Sequence, residues 1–333
     1  MGTRRPLTLE DREEISRCLV AKMSGTDIAA HLGRTPSLVS QEISRHGGRD
    51  GYRAHRAEAN AATSRSRPKC RKLDDNPRLR ARVEDGLKIG WSPDQIAGRL
   101  RHEHGYTDPG KVISHEAIYT WIYALPKGEL AARGIELRKG GAERKPRGHK
   151  KSPGARIVGM RSIDDRPEEV AGRQVPGHWE GDLIIGKAGK TAAGTLVERV
   201  SRFTAIVALP DDRTSDAVCD ALIAKVADLP ERFLKSITWD QGIEMAKHAA
   251  FTLATEIDVY FAHPHSPWER GTNENTNGLI REYIPKSTEI PSNEQILNDI
   301  ADSLNSRPRR VLNYKTPAEV LAELIAAEIH SID

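Results

Sequence analysis

The sequence predicts a multidomain protein: an all-α front region with two helix-turn-helix units, then an α/β domain on a mixed five-stranded sheet. Three observations lead there. Charge is split along the chain, with 32 Lys+Arg against 19 Asp+Glu in residues 1–160 (net +13) and 19 against 28 in residues 161–333 (net −9). Two stretches of the basic half show short helix, turn, short helix. From about residue 175 the apolar pattern changes to strands alternating with helices.

At 333 residues with 38% hydrophobic and 29% charged residues, the chain is long enough for several domains with their own cores. No apolar run approaches the roughly 20 residues of a bilayer span, and no apolar stretch follows the charged N-terminus MGTRRPLTLEDREE, which speaks against a secretory signal. Cys18, Cys70 and Cys219 are far apart with no C-x-x-C pair. That argues against a disulfide framework or a zinc ribbon and fits a reducing cytoplasmic, nucleoid-associated setting without a membrane partner. A basic front half suits phosphate contact on nucleic acid.

The elements follow in order. Thr8 caps a helix over 9–22 with Ile15 and Leu19 on one face. Ser24-Gly25 breaks it, and a short helix turns Ile28, Ala29 and Leu32 inward. Gly33 supplies the turn, and Thr35-Pro36 opens a third helix with Leu38, Val39 and Ile43 buried. Its outer face presents Ser37, Ser40, Gln41, Ser44 and Arg45 to a major groove. Residues 1–50 form this first reader. An Ala/Arg-rich connector over 51–85 either is helical or tracks phosphates. In the second unit, 86–126, Ser92 and Gln95 form a capping box over a stripe of Ile96, Ala97 and Leu100. Ser114 then caps a helix His115–Tyr123 that packs through Ile118 and Ile122 and offers His115 to DNA. Either unit could instead be a plain helical bundle; two in tandem on a basic segment favour readers. Residues 127–170, with RKGGAERKPRGHKKSPGAR, have the composition of a basic linker.

In 171–333, His178–Ile185, Thr195–Val200 and Phe203–Leu209 read as strands, with a Ser201-Arg202 turn. A helix over 214–229, a strand Ser236–Trp239, a helix over 244–256, a strand Val259–Ala262 and a helix from Asn273 to Tyr283 complete the order of an RNase H-like sheet, with C-terminal helices behind. Three carboxylates stand out by placement: Asp182 on the first strand, Asp240 at the end of the fourth with Gly242 two residues on, and Glu274 at the start of the last helix of the sheet. Most of the 47 acidic residues are solvated surface charge, so the triple carries weight only as a set. Hard oxygen ligands converging from separate elements suit Mg²⁺, and two such ions stabilise both oxygens of an in-line phosphoryl displacement.

The blocks HWEGDLIIG, TWDQGIEMAKH and SPWERGTNENTNGLIREYIPKST resemble the catalytic blocks of the insertion-sequence-30 family of DDE transposases. SGTDIAAHLGRTPSLVSQEISRH, WSPDQIAGRL and ISHEAIYTWIY are similar to its DNA-binding region, and LNSRPRRVLNYKTPAEVL also matches, so the likeness spans nearly the whole chain. The resemblance implies an RNase H-like core with Asp182, Asp240 and Glu274 as acidic triad and metal ligands, and two Mg²⁺ ions with Mn²⁺ as substitute. It implies terminal inverted repeats and target DNA as double-stranded partners, cleavage and strand transfer as activity, and a homodimer or higher synaptic oligomer. Arg281 falls where such families carry a basic residue near substrate DNA. Asn273, Asn275 and Asn277 either contact DNA or solvate the helix start. Trp268 reads as a buried loop anchor, with stacking on a distorted DNA end as the alternative. His263 and His265 stand where an acidic residue and an aromatic are expected, and read as surface or supporting groups. Glu180, Glu244 and His178 need no catalytic role: Glu180 shares a face with Asp182, Glu244 pairs with a helix N-terminus, and His178 packs or caps. Two rivals are a sequence-specific DNA-binding regulator with an inactive core and a housekeeping RNase H-like nuclease.

Overall fold

The computed structural model describes residues 6–66, 70–136, 157–209, 213–264 and 266–330. The chain divides into two compact units, Met1–Cys70 and Arg71–Asp333. The stretch 137–156 of the basic linker and His265 lie outside the described residues.

The first unit is helical: α1 Leu9–Val20, α2 Gly25–His31, α3 Pro36–Arg45, α4 Gly48–Gly51 and α5 Ala54–Ser66. Thr8 and Asp11 form a capping box on α1, and Ser24 caps α2. Thr35 makes no side-chain cap bond to α3; Pro36, which has no N–H to satisfy, starts that helix instead. Ile15, Ile28, Ala29, Val39 and Ile43 close the core with Tyr52 and Ala57 from beyond the expected reader. Buried Arg12 binds Glu42 of α3 at 2.7 Å and Glu58 of α5 at 2.5 Å. The Ala/Arg-rich connector is thus helical over its first part and joins the first core.

In the second unit, α6 Lys72–Asp75, α7 Pro77–Lys88, α8 Pro93–His104, α9 His115–Ala124 and α10 Glu129–Ala132 share a core of Leu79, Val83, Leu87, Ile96, Leu100, Ile118 and Trp121. The Ser92–Gln95 capping box is present, and Ser114 caps α9.

The sheet strands are β1 Arg161–Ser162, β2 His178–Ile185, β3 Ala192–Glu198, β4 Thr204–Leu209, β5 Ser236–Trp239 and β6 Asp258–Phe261. Their order is β1-β6-β5-β2-β3-β4, with β2-β3-β4 antiparallel and β2-β5-β6-β1 parallel. This is six strands where five were expected. β1 comes from the segment read as linker; two residues are too short to show a strand period, and its pairing to β6 rests on tertiary contact. One sheet face, with Trp179, Leu196, Val207, Ile237 and Phe261, packs on α11 Ser215–Ala227 and α12 His248–Thr255. The opposite face, with Ile184, Ala193 and Ile206, packs on α13 Gly271–Tyr283 and α14 Glu294–Asn305. The helix expected over 244–256 is a 3₁₀ turn Ile243–Met245 followed by α12, which ends at Thr255 and is capped by Glu256 at φ +59.

The last helix, α15 Pro317–His330, and the loop before it reach α8. Arg99 makes a bidentate pair with Glu319 at 2.6 and 2.7 Å, Arg310 binds Asp94 at 2.7 Å, and the Tyr314 ring fills the space that a Cβ on Gly98 would occupy. Among the described residues no helix is long and apolar enough to cross a membrane.

Candidate active site

β2 and β5 run parallel with Glu180 opposite Thr238. Carrying that register two residues further sets Asp182 level with Asp240. The close approach depends on Gly181, since a Cβ there would lie 2.1 Å from the Trp239 indole. Side chains alternate along β2, so Trp179, Gly181 and Leu183 face the α11 side while Glu180, Asp182 and Ile184 face α13.

Arg270, just before α13, spans the two aspartates. Its Nη2 lies 3.2 Å from Asp240 Oδ2 and its Nη1 3.7 Å from Asp182 Oδ1, while Nη1 also donates to the Gly181 carbonyl at 2.7 Å. Asp182 accepts from Asn277 Nδ2 at 2.8 Å and from the Leu183 N–H at 3.0 Å. Burial pushes its pKa up to about 6, helped by the negative charges of Asp240 and Glu244 and opposed by Arg270. Glu244 is also raised, first by burial, and accepts from Trp239 Nε1 at 3.3 Å. Asp182, Asp240 and Glu244 line one cleft of about 690 Å³ with Arg213 and Thr214 at its edge. From the sequence Glu244 reads as helix-dipole pairing, yet one turn after Asp240 the chain carries its carboxylate back into the cleft. Gly242 makes room for it, because a Cβ there would lie 2.1 Å from Glu244 Oε1.

Glu274 lies on the exposed face of α13. Its neighbours fix the helix: Asn273 is fully buried, and Thr195 Oγ1 stands 3.0 Å from Asn273 Oδ1 and 3.1 Å from Asn277 Oδ1. Glu180, also without exposure, accepts the Thr272 and Asn273 N–H groups at 2.9 and 3.0 Å. Asp182 and Asp240 thus share Arg270 as a neighbour, and the two with Glu274 do not all lie within 4.8 Å of one another. The one group of three His, Cys, Asp or Glu side chains at such distance among the described residues is Glu14, Cys18 and His31, where His31 simply pairs with Glu14 at 3.1 Å.

A single guanidinium holding both aspartates stands in for a cation. With all-oxygen donors and a carboxyl raised by burial and then by its acidic neighbours, the cleft fits a hard divalent ion.

Elsewhere, Ser37, Ser40, Gln41, Ser44 and Arg45 are all exposed on α3, and His115 is half-buried at the start of α9, 3.3 Å from Glu116. Arg281 donates to the Ile185 carbonyl at 2.8 Å, and burial lowers its pKa; it braces α13 against the end of β2. Trp268 is 73% exposed, which removes the buried-anchor reading and leaves its ring free to stack. His178 is buried between Ser236 and Glu169, a packing role as expected. His263 is exposed between Glu269 at 2.8 Å and Asp164 at 2.9 Å.

Residues 172–267 match the family described as Integrase core domain, and residues 3–46 the one described as Helix-turn-helix domain. A helix-turn-helix reader on the same chain as an RNase H-like integrase core defines a polynucleotidyl transferase of the recombinase class. The chain is 43% identical over 329 residues to the transposase of insertion sequence element IS30A of Escherichia coli strain K12, covering 96% of this chain and 84% of that protein. It is 42% identical to the transposase of insertion sequence element IS1086 of Cupriavidus metallidurans (95% and 94% covered) and 38% identical to that of IS4351 of Bacteroides fragilis (96% and 96%). The chain belongs to the IS30 family of insertion-sequence transposases.

Proposed function

We propose that the protein binds the terminal inverted repeats of its element and cuts and joins DNA strands at the cleft of Asp182 and Asp240, with Glu274 completing the acidic set. The observation that carries this reading is the pair of aspartates drawn together by Arg270 beside the helix that bears Glu274. Asp182 and Asp240 would hold the divalent cations, Mg²⁺ with Mn²⁺ as substitute, with Glu274 of α13 as the third carboxylate. When bound, such ions supply positive charge at the attacking and leaving oxygens of an in-line displacement.

The chain's own groups do the positioning. Asn277 fixes the Asp182 carboxylate by its amide N–H, and Thr195 holds the Asn277 carbonyl from β3. Arg270 would be released from the aspartates on cation binding, and its charge would then be available to a DNA phosphate. The exposed face of α3 (Ser37, Ser40, Gln41, Ser44 and Arg45) would read base edges in the major groove, and His115 would contact the second segment. Two element ends must meet for joining, so the working form would be a homodimer or a larger synaptic assembly.

The test is strand transfer on a duplex carrying an element end, with Mg²⁺, for the unaltered protein and for Asp240→Asn and Glu274→Gln. We expect both variants to lose joined product by at least a hundredfold while duplex binding persists. Cutting that survives in both would mean the acidic set is wrong.

A further inference from the structure

Four arginines gather behind the cleft on the α13 side of β2: Arg166 and Arg173 before β2, Arg199 at the end of β3, and Arg202 in the β3–β4 turn. Their shared carboxylate is Glu180. It accepts from Arg199 Nη1 at 2.9 Å, and Arg173 Nη2 lies 3.9 Å from the same oxygen. Its other oxygen is occupied by the Thr272 and Asn273 N–H groups. Arg166 donates to Thr238 Oγ1 at 3.1 Å and Arg202 to Thr272 Oγ1, both neutral partners. Two further acids nearby are engaged elsewhere: Glu198 accepts from the Gly177, Val200 and Ser201 N–H groups, and Glu269 binds His263.

Positive charge and donor capacity are thus left over. The Nε atoms of Arg166, Arg199 and Arg202 are buried and find no acceptor among the described residues, and Arg199 is 4% exposed. Leaving such donors unmade is costly. Burial and the neighbouring arginines lower Arg199 to about 10. This excess sits in the half of the chain whose net charge is −9, so general basicity does not explain it. Arg173 has 37% of its side chain exposed, and Arg166 and Arg202 are half-buried, so the cluster is open on one side.

We propose that this cluster is a phosphodiester-binding site that takes a backbone phosphate of the DNA strand entering the Asp182–Asp240 cleft. Arg173 and Arg202 make the contact, and Arg199, locked by Glu180, supplies fixed charge from behind. Planar guanidinium forks match phosphate oxygens in pairs. Because Glu180 and Arg202 both hold the first turn of α13, a phosphate seated here also reports strand position to the helix bearing Glu274. The inference rests on DNA being the substrate, as proposed above.

The experiment measures binding of the full chain to the end-containing duplex over a range of salt concentrations, for the unaltered protein, Arg173→Gln, Arg202→Gln and the exposed Arg232→Gln as control. Losing one phosphate contact lowers the log–log salt slope by about 1. We expect that drop in each cluster variant and not in the control. We also expect a melting temperature equal to or above the original, since crowded charge is relieved. An unchanged slope in both cluster variants overturns the site, whatever their melting temperatures. If the unaltered protein still joins strands in that case, the transposition reading stands. Loss of joining and of end preference in the unaltered protein would instead sink that reading, and the slope would still be read on the same duplex.

Discussion

Arg270 is the side chain on which the free cleft depends. Without its charge, Asp182 and Asp240 lose the guanidinium that both approach, and a divalent cation meets less competition for their oxygens. Arg270→Ala is therefore expected to raise Mn²⁺ affinity several-fold, read by titration calorimetry or electron paramagnetic resonance, and to lower the melting temperature only in chelator. Unchanged affinity would show that the guanidinium does not compete for the site. At this scale Asp182 and Asp240 were conspicuous because one lies on, and the other directly after, a strand of apolar neighbours. Glu244 and Arg270 were not: one sits in a helix first turn, where acids are ordinary, and the other among loop charges whose aim only the folded chain reveals. The exposure of Trp268 was equally hidden, since a lone aromatic between Pro267 and Glu269 carries no period.

Elements with a clear period were legible, and elements fixed by tertiary contact were not. β2 and β5 fall on the expected residues because their apolar runs are bounded by turn residues. β1 exists through its pairing to the sheet edge, and α7 lies in a charged stretch where only Leu79, Val83 and Leu87 mark the buried side. The pairing of α8 with the C-terminal segment was invisible for a similar reason: its partners are 216–220 residues apart. Gly98 makes the joint possible, because a Cβ would stand 2.1 Å from the Tyr314 ring. Gly98→Ala should force that ring out and cost about 1–3 kcal/mol of overpacking. Faster hydrogen exchange in both α8 and α15 checks it; exchange unchanged in α15 would mean that the ring is not a fastener.

For the whole molecule, the same joint gives a pH signature. Glu319 is held down to about 2, chiefly by its hydrogen bonds from Arg99. A depressed carboxyl contributes stability that is complete above its ordinary value near 4.5 and is lost as pH falls toward 2. Protection of α15 against exchange should therefore fade between about pH 4.5 and 2 and become flat across that window in Glu319→Gln. The pair is partly exposed, so salt should weaken the effect. The charge split acts at this scale too: the net +13 of the first 160 residues suits contact with DNA, while on the proposals above the acidic half would rely on local arginines and divalent cations.

The span of the α8–α15 joint bears on order of synthesis. The core of the first unit is drawn, among the described residues, from Leu7 to Ala57, so that reader can close while the ribosome is still making the sheet. The second helical bundle must wait for the last residues before Arg99 meets Glu319. A gene copy broken near its 3′ end would then yield a chain with a finished DNA reader and an unfastened second unit. Such a fragment could occupy element ends without joining them, turning a decayed copy into a competitor of the intact one.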